Sequence, residues 1–213
     1  MGLNTKNNLN APTEWSQRWQ EGRTGWDHGK PHQELETLLK EARILKNFTL
    51  EGKILEPGCG RAHAGAWLSS QGHHVTSFDF VDIAIEEARK LYGHLKQLTL
   101  SLHHALEHNP SWDGGFDAIF DRAMLCALGP EWRDSYLKRC HSYLKPGGLF
   151  LSIPFIEVEG PAHEGPPFQI PLDQLEQLLS PYFRIIQISE PFSTSEIGKV
   201  KKEVRLIGER IQL

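Results

Sequence analysis

The segment "ILEPGCGRAHAG", Ile54 to Gly65, sets Glu56, Gly58 and Gly60 in a turn between an apolar stretch and a run able to start a helix. Glycines at such a turn let a ligand approach the backbone, and the first helical turn offers N–H groups that lack partners within the helix. Roughly twenty residues later "VTSFDF" reaches Asp79 and Phe80, where a carboxylate can accept both hydroxyls of a ribose. A dinucleotide site would need G-x-G-x-x-G to meet a pyrophosphate, and here His63 stands at the third glycine's place. Glu56 is a poor neighbour for phosphate but suits an ammonium. A ribose-bearing, phosphate-free, cationic ligand is S-adenosylmethionine. The plainer alternatives are a tight turn of purely structural use and an aspartate that caps a helix, a task that the spacing gives to Asp82.

Further residues suited to chemistry flank this turn. Trp15 and Trp19 share a helical face at i, i+4, with Trp26 close behind, and indole faces attract sulfonium or ammonium groups. Packing of both indoles onto a sheet is the alternative. Arg122 ends an apolar strand, and its fork of donors can orient an acceptor or lower its pKa, or else pair with Asp121 or Asp117. Asp121 suits positioning of local backbone better than proton abstraction. Asp27 and His28 follow the aromatic opening as supporting groups. Phe168, in the glycine- and proline-rich "EVEGPAHEGPPF", is an apolar candidate for an acceptor pocket, although a structural loop explains it nearly as well.

The elements that position these residues alternate along the chain. "TEWSQRWQEG" reads as a helix capped by Thr13, and "HQELETLLKEARILK" as an amphipathic helix with Leu35, Leu38, Leu39, Ala42 and Leu45 on one face. Strands are expected at "KILEPG", "HVTSFDF", "LTLSLHHAL", "FDAIFDRAML", "GGLFLSIPF", "RIIQISEPF" and "KKEVRLIGERI". Helices are expected at "AHAGAWLSSQG", "DIAIEEARKLYG", "EWRDSYLKRCHSYLK" and "LDQLEQLLSPYF". Such alternation implies an α/β fold with a doubly wound, mainly parallel sheet. "STSEIGK" is too short for a crossover helix, so the last strand should run antiparallel and lie at an edge. Residues 1–12 are expected as a loose tail, 13–50 as a helical lid and 51–213 as the ligand-binding sheet of one domain.

Composition narrows the class. At 213 residues with 39% hydrophobic and 23% charged, the chain suits one soluble domain. A net charge of −4 argues against nucleic acid or an anionic membrane as partner, and no apolar run approaches a membrane span. Cys59, Cys126 and Cys140 are odd in number and lack metal-type spacing, which fits a reducing compartment, the cytoplasm by default. The histidine pairs also lack ligand geometry, so no metal is expected: Gly29 and Pro31 interrupt His28 and His32, and adjacent histidines in a strand diverge.

"LEPGCG", the acidic strand end at Asp79, "FDAIFDRAML" and "LKPGGLFLSI" resemble, in order, the motifs of class I S-adenosylmethionine-dependent methyltransferases. "WSQRWQEGRTGWD", "FDRAML" and "GPPFQIPLDQLEQLL" further resemble the thiopurine S-methyltransferase family and its thiol and halide relatives, from about Trp15 to Phe183. The resemblance implies a Rossmann-like seven-stranded fold and methyl transfer to a small sulfur acceptor, with halide, selenium or oxygen acceptors as alternatives. A nicotinamide-dependent oxidoreductase is a distant one. It implies that Trp15, Trp19 and Trp26 wall the methionine end of the cofactor, that Gly58 and Gly60 pass beneath it, and that Asp79 holds the ribose. His104 and Ala105 would flank adenine, and Arg122 falls on the family's active-site arginine. "EPGCG" and "RAMLCALGPEWR" lean towards the thiol and halide branch, and Trp26 replaces a common phenylalanine. A monomer or weak dimer acting on a small molecule is expected.

Overall fold

The computed structural model describes residues 12–48, 51–159, 166–193 and 200–212. Helix α1 (Pro12–Gln20) and helix α2 (Leu35–Lys46) precede strand β1 (Lys53–Pro57). Then come α3 (His63–Ser70), β2 (His74–Asp79), α4 (Asp82–Tyr92), β3 (Leu98–Leu102) and β4 (Phe116–Arg122). After β4 follow α5 (Met124–Ala127), α6 (Pro130–Tyr143), β5 (Leu144–Ile153), β6 (Phe155–Val158) and α7 (Leu172–Leu179). Strands β7 (Phe183–Ile188), β8 (Val200–Glu203) and β9 (Leu206–Arg210) complete the order.

Seven strands form one sheet in the order β3-β2-β1-β4-β5-β9-β7. The first five are parallel, and β9 runs antiparallel to both of its neighbours. Both faces are covered, so the inner strands bury every second residue on opposite sides. In β4, Ile119 enters the core with Tyr136, Leu137 and Leu175, whereas Ala118 and Phe120 enter the core with Leu38, Ala42 and Leu68. The chain leaves β1 for β2 on one side and returns to β4 on the other. That reversal opens a crevice at the carboxyl ends of β1 and β4, the usual ligand site of such sheets.

Several expectations need correction. β9 is an inner strand, because β7 supplies the edge beyond it. The expected single strand "KKEVRLIGERI" is divided: β8 leaves the main sheet to pair with β6 in a two-stranded ribbon. β6 occupies the start of the segment read as a loop; residues 160–165 of that loop lie outside the described residues. β3 stops at Leu102, so His103 and His104 lie beyond it. β4 stops at Arg122, where Ala123 takes φ 66° and turns the chain into α5. Asp82 is the first residue of α4 rather than its cap, and accepts from the N–H of Ile83. Leu45 is exposed, not part of the buried face of α2. α1 opens at Pro12, the last residue of the expected tail 1–12, and residues 1–11 of that tail lie outside the described residues.

Candidate active site

A cavity of about 250 Å³ occupies the crevice. Its floor is the turn after β1. Gly58 and Gly60 take φ 61° and 54°, conformations that cost a residue with a side chain. A Cβ on Gly58 would lie 2.7 Å from Met124 Sδ, so the turn and α5 close against each other only through glycine. The backbone N–H of Cys59 donates to Phe78 O at 3.0 Å, which fixes the turn against β2.

Asp79, at the end of β2, is buried in the wall. Its Oδ2 accepts from Gly60 N–H and its Oδ1 from Val81 N–H, each at 3.0 Å. Burial raises its pKa, against the backbone N–H groups of Val81, Gly60 and Phe80 that donate to it. Phe80 and His104 face each other with ring centroids 5.2 Å apart, and Ala105 adjoins them in the wall. His104 Nδ1 accepts from Leu106 N–H at 3.2 Å, and burial lowers its pKa.

Glu56 is also buried, beneath the turn. Its Oε2 accepts from Ser77 Oγ at 2.5 Å, and the N–H of Gly65 donates to the same carboxylate. Burial pushes its pKa up to about 7, against those two hydrogen bonds. Gly65 is required here, since a Cβ would collide with both Ser77 Oγ and Glu56 Oε2.

The N-terminal segment forms the opposite wall with Trp15, Trp19 and Trp26. Trp26 meets Trp15 and Trp19 edge-on, at centroid distances of 5.2 and 6.3 Å. The indoles also pack: Trp19 is buried with Val81 and Ala84. Arg61 places Cζ 4.7 Å over the Trp19 ring, so one indole face already carries a cation. Asp27 is not a free carboxylate offered to a substrate. It takes Arg61 Nη1 at 2.6 Å, His63 Nε2 at 3.0 Å and Gly29 N–H at 2.8 Å. Burial opposes its charge, but His63, Arg61 and the Gly29 N–H outweigh it and hold the carboxyl well below the usual range. Arg61 continues to Glu87 at 2.6 Å, fastening the segment to α4.

Arg122 enters from the end of β4. Its partner is neither Asp121 nor Asp117 but Glu203, at 2.8 Å, and its guanidinium lies 4.6 Å over the Phe155 ring. Asp121 is buried beneath α5 and accepts from Tyr136 Oη and Leu125 N–H. Burial pushes its pKa up to about 6, against those bonds. Phe168 does not line the cavity. Its N–H donates to Cys126 O at 2.7 Å, its ring is buried, and Pro166 and Pro167 form that wall instead.

Three participants escaped the sequence reading: Arg61, His32 and Glu203. Arg61 had a visible cue, since it directly follows the glycine turn. In the sequence His32 stands out only through its spacing from His28, which lacks ligand geometry. Glu203 sits in a charged run that reads as a solvated edge.

The donor set fits S-adenosylmethionine. Two buried carboxylates flank the glycine turn, which disfavours a pyrophosphate and favours hydroxyls and a cation, and aromatic rings supply the remaining wall. The sequence model of the thiopurine S-methyltransferase family matches residues 10–213. The chain belongs to that family. It is therefore an S-adenosylmethionine-dependent methyltransferase, and the nicotinamide alternative falls. Probable thiol methyltransferase 2 of Arabidopsis thaliana is 31% identical over 176 residues, covering 81% of this chain and 74% of that protein. Thiocyanate methyltransferase 1 of Brassica oleracea is 29% identical over 201 residues, covering 88% and 84%. Among solved structures, 1,6-didemethyltoxoflavin-N1-methyltransferase of Burkholderia thailandensis, with bound S-adenosylhomocysteine, superposes with a TM-score of 0.75 at 18% identity, covering 100% of this chain and 93% of that one. That likeness speaks for the fold alone.

Proposed function

We propose that the protein methylates a small sulfur nucleophile, a thiol or a comparably soft sulfur anion. The observation that carries this reading is Arg122, a cation lining the cavity at the end of β4 with β1 between it and Asp79, while each carboxylate of the wall is already engaged by protein donors. An alcohol acceptor needs a base to take its proton, whereas a thiol beside a guanidinium reaches its thiolate near neutral pH. The names of the plant relatives support sulfur.

In this reading Asp79 receives the ribose hydroxyls, Phe80, His104 and Ala105 border the adenine, and Gly58 and Gly60 let the ligand lie against the backbone. Trp15, Trp19 and Trp26 face the sulfonium end, with Glu56 available to an ammonium. Bound there, S-adenosylmethionine supplies an electrophilic methyl group. The chain itself positions, excludes water and supplies the charge of Arg122 to the acceptor. The segment that includes α1 serves as the lid, fastened through Asp27, Arg61 and Glu87. Unpaired Cys59, Cys126 and Cys140 suit a reducing compartment such as the cytoplasm, and a site completed within one chain suits a monomer or weak dimer. Among the described residues no helix is long and apolar enough to cross a membrane.

Labelled methyl transfer to a panel of thiol, thiocyanate, halide, selenide and alcohol acceptors tests the proposal. Thioether or methyl thiocyanate formation is expected to dominate; transfer to alcohols alone refutes the sulfur assignment.

A further inference from the structure

Glu203 ends β8 with no solvent exposure and does not line the cavity. A carboxylate in such a place must be matched by donors. One oxygen lies 2.8 Å from Arg122 Nη2 and the other 3.3 Å from His32 Nε2. His32 Nδ1 accepts from Glu34 N–H at 3.2 Å, so a ring proton belongs on Nε2, facing the carboxylate. The backbone of Glu203 is fixed as well. It exchanges hydrogen bonds with Phe192, 2.9 Å in each direction, and β8 pairs it with Phe155. Phe155 is the residue whose ring lies under the Arg122 guanidinium. Three segments remote in sequence thus meet at one buried carboxylate: the N-terminal segment, the end of β4 and the β6–β8 ribbon.

An arginine side chain is long and rotatable, and its fork directs an acceptor only if its plane is set. Phe155 confines one face, and Glu203 fixes rotation about the stem. We propose that Glu203 is a positioning residue for methyl transfer: it sets the plane in which Arg122 meets the acceptor and ties that plane to the seating of the N-terminal segment through His32. This rests on the reading of Arg122 as the acceptor-side cation.

Glu203→Gln keeps the shape and removes the charge. The acceptor KM is expected to rise about tenfold or more, with S-adenosylhomocysteine affinity held within about twofold, because Arg122 loses the partner that sets its plane while the Asp79 side of the cavity is untouched. Glu203→Asp should recover part of the loss. His32→Gln should shift the KM in the same direction by less, and serves as the test if Glu203→Gln fails to fold. A second readout needs no acceptor: amide hydrogen exchange over residues 28–34 should accelerate in both glutamine variants. A folded Glu203→Gln with unchanged acceptor KM and unchanged exchange overturns the proposal. Should the wild type methylate no acceptor, the sulfur reading fails and exchange alone decides: acceleration upholds the tether and its absence rejects it.

Discussion

Replacing Glu56 by glutamine isolates one buried ionisation. Its carboxyl has an ordinary pKa of 4.5 that burial pushes up to about 7, and its residue is only 6% exposed. That displacement corresponds to about 3 kcal/mol, at about 1.4 kcal/mol per tenfold change in proton affinity. The folded pKa is raised, so the folded chain holds the extra proton between the two values. The stabilising contribution is complete below the unfolded value and is lost as pH climbs through about 7. Between pH of about 5.5 and about 8, roughly 2 kcal/mol of it should disappear. The substituted carboxamide would offer a neutral acceptor to Ser77 and Gly65 and carry no such slope. Asp121, also raised, contributes a slope of the same sign to both proteins and cancels in the comparison. Urea unfolding of wild type and Glu56→Gln at both pH values supplies the test. The variant should gain about 2 kcal/mol relative to wild type on going to the higher pH, with similar m-values. Parallel curves would falsify the claim that burial beneath the turn raises the Glu56 carboxyl.

Other substitutions probe separate parts of the site. Gly65→Ala puts a Cβ into Ser77 Oγ and Glu56 Oε2 and should cost about 1–3 kcal/mol in chemical denaturation, the scale of core overpacking. Asp27→Asn removes a carboxylate whose pKa is strongly lowered, and should destabilise by about 1–3 kcal/mol at neutral pH. Since that contribution belongs to the ionised form, the gap to wild type should close as pH falls below about 4, followed by thermal unfolding. Arg122→Lys keeps the charge but loses the planar fork stacked on Phe155. Acceptor kcat/KM should drop by about tenfold to a hundredfold in steady-state assays while S-adenosylhomocysteine affinity holds.

Local signals carried most of the architecture. Glycine turns, apolar helical faces and strand-length apolar runs located every strand of the parallel half, and the spacing of Gly58, Gly60 and Asp79 located the crevice. The tryptophans were legible because i, i+4 spacing fixes a shared face. What escaped depends on pairings between distant segments. Apolar and charged residues alternate from Glu203 to Leu206, across the division at Val204 and Arg205, so nothing local marks where β8 gives way to β9. Arg205 itself turns to Glu34 and Glu41. Insertion of β9 between β5 and β7 is likewise decided by partners, not by its own composition. Burial of Glu203 has no local cue, because it depends on Arg122 and His32, which come from distant segments. Phe168 was misplaced because the phenylalanine of "GPPF" turns into the core and leaves the prolines to face the cavity.

Calorimetric titration of wild type and Asp79→Ala with S-adenosylhomocysteine tests the placement of the nucleoside most directly. Wild type should bind one equivalent, and the variant should bind about five- to 150-fold more weakly, the loss of about 1–3 kcal/mol that charged-acceptor hydrogen bonds to the ribose supply. Equal affinities in the two proteins, both folded, would contradict the placement of the nucleoside against the end of β2.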